Sequence, residues 1–335
     1  MSNHSARPPD SGDQPVYPSG YSPPIFSETP SPYSYEFVPR QRFQHKWWKH
    51  IVLFLLTLVT TTLVGAERYL FFLADFGRSD VTGSGWAILA GGLWYSGIVL
   101  LILGAHEMGH YLACRYYNLD ATLPYFLPLY FGPGIGIQSG TLGAVIRIRE
   151  QFRNRKELFD VGVAGPIAGF AIVLPTIFIG MALSSMTTLP NTELIYIGKP
   201  LLFRLARWAV FGPIPDGSIV NLHPMVYASW FGMLATALNL LPFGQLDGGH
   251  ISYASLKQYS TPVSLATVSA AVLMTVFTRS WLLMTIMMLV MLRLFGLKHP
   301  RLLDESQPLG AGRQWLAAFA LLILIFCFMP IPIYF

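Results

Sequence analysis

The chain has 335 residues, of which 53% are hydrophobic and only 12% charged, and its mean hydropathy is +0.48. A soluble globular chain carries about 25% charged residues, so an ordinary soluble domain is excluded and the lipid bilayer is the expected solvent. The net charge of +5 sits in short clusters beside apolar runs rather than on one face, so no nucleic-acid partner is expected.

Residues 1–45 are rich in Pro, Ser and Tyr and lack an apolar period, which predicts a disordered tail. The first apolar run begins only near Trp47, too late for a signal peptide. Asp10, Asp13, Glu28 and Glu36 argue against an organelle transit sequence, which is poor in acids, and a bacterial plasma membrane is the simplest expected location. Apolar runs long enough to cross a hydrocarbon core of about 30 Å occur at 51–74, 86–116, 158–184, 223–247 and 314–334. The stretch 262–296 is split by Arg279 and Ser280 and reads as a tight helical hairpin. The fold class expected is thus an all-α polytopic membrane protein with about seven transmembrane helices. A five-span alternative treats 262–296 as one re-entrant unit.

Positive charge fixes the expected orientation, because Lys and Arg stay preferentially on the cytoplasmic side of short loops. Arg40, Arg42, Lys46 and Lys49, then Arg147, Arg149, Arg153, Arg155 and Lys156, then Lys257, and last Arg293, Lys298, Arg301 and Arg313 all fall on one side with seven spans. The N-terminus is therefore expected in the cytoplasm and the C-terminus outside. Between the second and third spans, 123–131 is apolar with two prolines and 141–149 alternates toward a basic end, which predicts a small membrane-associated β-hairpin. Its turn, GPGIGIQSG at 132–140, lacks the helix start and the Lys-Ser/Thr of a phosphate-binding loop. Between the third and fourth spans, FRLARWAVF at 203–211 places two arginines three apart on an apolar segment, as an interfacial helix does.

His106, Glu107, Met108, Gly109 and His110 spell HExxH. Histidines at i and i+4 share one helical face, so both imidazoles can bind one Zn²⁺ while the adjacent Glu reaches a coordinated water. Ionisable groups inside an apolar helix are expensive unless they serve a function. The bland alternative is a hydrogen-bonded polar patch joining helices. A hydrolytic zinc site needs a third protein ligand and an open position. Asp247, expected at the end of the fourth span in NLLPFGQLDGGH at 239–250, is the best candidate, and a plain helix cap is its alternative reading. His250 reads as a supporting residue. His223 starts the same span a bilayer thickness away and cannot reach the metal. Cys114 and Cys327 read as packing residues, with a metal-adjacent role left open for Cys114, one turn beyond His110.

HEMGH followed by NLLPFGQLDGG, with FDVGVAGPIAGF at 159–170 between them, resembles the motif set of the site-2 protease family of intramembrane metalloproteases. The likeness covers roughly 85–260. It implies His106, His110 and Asp247 as zinc ligands, Glu107 as the catalytic base and Asn239 as a polar group near the substrate. It implies single-span membrane-protein substrates cut within the bilayer. GTLGAVIRIRE at 140–150 resembles the shorter bacterial and plastid branch. Connections of about 40 residues are too short for a PDZ domain, and the stretch after 296 is too short for a CBS pair. The expected organisation is a cytoplasmic tail (1–45), a first transmembrane helix and outer loop (46–84), a catalytic membrane core (85–260) and C-terminal transmembrane helices (261–335). A metal carrier and a substrate-binding pseudoprotease are the rival classes. A carrier would repeat ligand residues along a pathway, where only Glu67 and Asp160 are available, and a pseudoprotease would have lost Glu107 or a ligand.

Overall fold

A computed structural model describes residues 46–134, 138–190, 196–296 and 302–334. Every described residue belongs to one compact unit. The tail expected at 1–45 and the middle of the GPGIGIQSG turn lie outside the described residues.

The chain is mostly helical. Helix α1 spans Trp47–Ala74, followed by α2 (Gly85–Gly91) and α3 (Leu93–Tyr116), which run on almost continuously through Gly92. The antiparallel pair β1 (Tyr125–Pro128) and β2 (Thr141–Val145) forms the expected hairpin. It is fastened to α1 by His50 Nδ1 donating to the Pro124 carbonyl at 3.1 Å and by the Thr60 hydroxyl donating to the Gly140 carbonyl at 2.7 Å. Helix α4 (Arg155–Ala182) starts where Asn154 accepts the Lys156 and Glu157 backbone amides, a side-chain cap that ends the hairpin connection. Next come β3 (Ser185–Thr188), β4 (Tyr196–Ile197), the predicted short helix α5 (Leu201–Phe211) and β5 (Ser218–Asn221), which pairs with β3.

Helix α6 (Pro224–Leu240) begins with His223 as its cap, Nδ1 accepting the Met225 amide. The sequence predicts one span through 247, but the helix ends at Leu240. Pro242 forces Leu241 into extended backbone (φ −57°, ψ 129°), and Gly244 takes a positive φ of 54°. A new helix, α7 (Asp247–Leu256), then starts at Asp247 itself. Gly248 makes the tight return possible, since a Cβ there would lie 2.0 Å from the Leu240 carbonyl oxygen. The chain continues with α8 (Ser260–Phe277), α9 (Leu282–Phe295), α10 (Ala311–Cys327) and β6 (Ile333–Tyr334), which pairs with β4. Helices α8 and α9 form the expected hairpin about Arg279 and Ser280, but in unequal pieces of 18 and 14 residues.

Four helical stretches among the described residues are long and apolar enough to cross a membrane: Trp47–Gly77, Gly85–Tyr116, Arg155–Ala182 and Asp247–Phe277. Three of the seven expected spans, α6, α9 and α10, are shorter, at 17, 14 and 17 residues. Large apolar side chains such as Ile51, Leu55, Val59, Leu101 and Leu112 point outward, the arrangement expected where the outer solvent is lipid. Helix α4 lies at the centre, against α3, α6 and α7, and Trp230, Phe159, Phe203 and Met181 are fully buried around it.

Candidate metal centre

The metal-site candidates meet where α3, α4 and the α6–α7 break come together. His106 and His110 lie one turn apart on α3, and both are buried, as is Glu107 between them. Helix α4 admits the imidazoles because its facing residues are Gly165, against His110, and Gly169, against His106, four positions apart and so on one face, while Gly162 lies against α7, where a Cβ would meet His250 Cβ at 2.9 Å. At Gly165 a Cβ would lie 2.1 Å from His110 Nε2. That position therefore refuses any side chain while His110 keeps its place.

The ligand atoms converge. His106 Nε2 and His110 Nε2 are 3.1 Å apart, His106 Nε2 is 3.1 Å from Asp247 Oδ2, and His110 Nε2 is 3.3 Å from Asp247 Oδ1. Tetrahedral zinc with bonds of 2.0–2.1 Å separates its ligand atoms by about 3.3 Å, so these spacings match the edges of such a site. His110 Nδ1 lies 2.7 Å from the Val161 carbonyl. An acceptor there requires the proton on Nδ1, which leaves Nε2 as a lone pair turned toward Asp247 and His106. Asp247 Oδ2 is buried without a hydrogen-bond partner among the described residues. Lone pairs turned on one another, with an orphaned carboxylate oxygen among them, fit a cation, and the three residues can hold one metal ion.

Neighbouring groups hold this constellation in place. The backbone amide of Ile146, the residue after β2, faces the Glu107 carboxylate, so the hairpin reaches the HExxH helix directly. Asn239, one residue before the end of α6, brings Nδ2 to 3.4 Å from His106 Nε2. Arg155 at the start of α4 donates to the Ala254 carbonyl, tying α4 to the end of α7. Arg313 of α10 forms a forked pair with Asp160, Nε to Oδ1 at 2.8 Å and Nη2 to Oδ2 at 2.7 Å. Asp160 also accepts the Tyr117 hydroxyl. This latch sits one residue before Val161, whose carbonyl orients His110.

The other sequence candidates lie apart from the ligand atoms. His250 is on α7, its ring near Phe152, and outside the metal-capable group. His223 stays at the far end of α6 as its cap. Cys114 is buried in a cluster with Leu119, Ala121 and Val161, in agreement with a packing role. Sequence reasoning missed the Val161 carbonyl and the Ile146 amide, since any residue supplies either. It also missed the Asp160–Arg313 latch, which joins positions 153 residues apart. The role of Gly165 could have been suspected from its four-residue spacing to Gly169.

A family model described as peptidase family M50 matches residues 94–283, a stretch that contains all five site candidates. Among relatives, the chain is 32% identical to the probable zinc metalloprotease EGY2, chloroplastic, of Oryza sativa subsp. indica, over 50% of this chain and 30% of that protein. It is 33% identical to the probable zinc metalloprotease EGY1, chloroplastic, of Arabidopsis thaliana, over 45% of this chain and 27% of the relative. The chain thus spans less than a third of the length of these two relatives. No solved structure matches it. The family match and the four long apolar helices together describe a multi-pass membrane protein. The chain belongs to peptidase family M50, the site-2 protease family.

Proposed function

We propose that this chain is a zinc metalloendopeptidase that hydrolyses peptide bonds in or near transmembrane segments of single-span membrane proteins, as in regulated intramembrane proteolysis. The observation that carries the reading is the convergence of His106 Nε2, His110 Nε2 and the Asp247 carboxylate, at 3.1–3.3 Å spacings, beside a buried glutamate. In this reading His106, His110 and Asp247 hold the zinc. When bound, zinc lowers the pKa of a coordinated water toward about 7 and polarises a carbonyl.

Glu107 is the general base. It takes the proton of the attacking water and returns it to the departing amine, a role that needs a carboxylate within one hydrogen bond of the reacting water. The Ile146 amide faces that carboxylate, which keeps acceptor capacity for a water. Val161 and the Asp160–Arg313 latch keep the His110 lone pair directed inward. Asn239 offers a donor amide beside His106, suited to a substrate carbonyl. Hairpin β1–β2 is a two-stranded ribbon, and a substrate segment unwound to an extended strand would pair along an edge of it.

Seven crossings follow if α6, α9 and α10 join the four long stretches. At 1.5 Å per residue these three reach about 21 to 26 Å, the short limit for a bilayer. The N-terminus is then cytoplasmic, in a bacterial plasma membrane, and the site opens on the cytoplasmic side, since HEMGH lies only a turn or two from Arg115. Reconstitution with candidate single-span substrates tests the activity. Glu107→Gln keeps shape and loses only the base, so cleavage is expected to fall by at least about 10²-fold with zinc still bound. Cleavage within a few-fold of wild type would exclude Glu107 from this role.

A further inference from the structure

The candidate ligands are held in different ways. His110 has a protein partner that fixes its ring, the Val161 carbonyl. Asp247 has no such orienting partner: its Oδ2 finds no hydrogen-bond partner among the described residues, and the carboxylate faces the two histidines themselves. Asp247 is the first residue of α7, so its side chain goes where the backbone of that helix takes it. Whatever fixes the pose of α7 therefore fixes the third ligand.

Helix α7 has only ten residues, and helices shorter than about 12–15 residues depend on their surroundings for stability. No side chain caps its start at Leu246. At its other end the chain turns away at Lys257, whose φ is 52° and whose amide bonds back to the Tyr253 carbonyl. The next carbonyls, of Ala254 and Ser255, belong to the group that a helix end leaves without partners inside the helix. Arg155, the first residue of α4, supplies them. Its Nε and Nη2 both donate to the Ala254 carbonyl, Nε at 2.8 Å, and Nη2 also reaches the Ser255 carbonyl at 3.5 Å. The third nitrogen, Nη1, donates to the Gln307 carbonyl at 3.4 Å. These acceptors are all main-chain carbonyls, so the buried guanidinium joins backbones, with its charge at the negative end of the α7 dipole.

The ligand end of α7 also rests on α4. A Cβ at Gly162 would lie 2.9 Å from His250 Cβ and 3.5 Å from the Asp247 carbonyl oxygen, so the two backbones approach closely there. Seven residues separate Arg155 from Gly162 and seven separate Asp247 from Ala254, about 10 Å of helix in each case. The two helices therefore run antiparallel with matched spacing, seated at the ligand end on a glycine and clamped at the other end by Arg155.

We propose that Arg155 is a positioning residue for the metal centre: by clamping the end of α7 to α4 it sets where the Asp247 carboxylate stands relative to His106 and His110. The inference rests on the reading of those three residues as metal ligands. A guanidinium suits the task because its rigid fork places two donors on one carbonyl, whereas a lysine offers one point of attachment on a flexible stem.

The test uses cobalt(II), whose visible absorption reports coordination geometry, bound to the full chain in neutral detergent. Wild type should bind one cobalt per chain. Arg155→Gln should lower cobalt affinity, measured in competition with a chelator, by about 10- to 100-fold, the range for losing a group that supports a ligand. It should also shift or weaken the absorption, and Arg155→Lys should restore part of both. Trp230→Phe removes a different buried hydrogen bond, from Nε1 to the Gly198 carbonyl at 2.7 Å. That variant should lower Tm while keeping wild-type cobalt affinity and absorption. If Arg155→Gln does not fold, Arg155→Lys should show a smaller loss in the same direction, and wild-type behaviour there would overturn the inference. A lowered Tm in Arg155→Gln with wild-type affinity and absorption would overturn it too, leaving a merely structural arginine, as would an equal affinity loss in Trp230→Phe. Failure of wild type to bind cobalt would instead overturn the metal-ligand reading, and this inference with it.

Discussion

The metal corner and the outer cap of β3, β4, α5 and β5 are both built from polar groups set among apolar helices, yet they solve the problem differently. In the corner, polar groups have partners chosen by direction, His110 by Val161 and Asp160 by Arg313. The exception is the inward set of lone pairs on His106, His110 and Asp247. In the cap, three cations, Arg68, Lys199 and Arg207, line one pocket. Acceptors turned on one another call for a cation, whereas cations gathered in one pocket repel it, so the two ends of the molecule differ in the charge they admit.

The comparison breaks most sharply at Asp247. Asp247→Asn removes the carboxylate from the proposed ligand set, so zinc should be lost on mild chelation. His250→Ala should retain the metal, since His250 stands outside the ligand set. The reverse ranking would transfer the third ligand to His250. Gly165→Ala is a finer probe, because a Cβ at that point would take the space of the His110 imidazole. Metal affinity should fall by roughly 10- to 100-fold, the range for disturbing a ligand's orientation. Gly97→Ala, on the same helix as His110 but open on its outer side, should bind as wild type and gain a little stability. Unchanged affinity in Gly165→Ala would show that His110 is not held as described.

The two regions should also face opposite sides of the membrane, which alters neither activity nor fold and so is the mildest test. In intact cells a membrane-impermeant thiol reagent should label Asp216→Cys in the cap and spare Gln151→Cys before α4. Both positions are exposed. Labelling at 151 from outside would invert the orientation drawn from the basic clusters.

How much of this was legible in the sequence follows the same division. HExxH and the Asp247 segment are readable because ligation needs particular side chains at particular spacings, and the structure brings those residues within 3.3 Å of one another. The helical hairpin at 262–296, helix α5 and the β1–β2 ribbon were legible as patterns of apolar period and breaker residues. The start of α7 at Asp247 was not, because an apolar run with one proline and several glycines looks alike whether it ends a helix or bridges two. The cap was half legible: Arg204 and Arg207 suggested an interfacial helix, but the sharing of one pocket by Arg207 and Arg68, over 130 positions apart, depends on tertiary packing. Backbone partners such as Val161 leave no signal in residue identity at all.

The central claim is that one catalytic zinc sits between α3 and α7, and metal content measured on purified protein tests it most directly. Wild type and Glu107→Gln should each carry one zinc per chain, and His106→Ala should carry none while keeping its helical content. An absence of stoichiometric metal in wild type, or its retention in His106→Ala, would contradict the account.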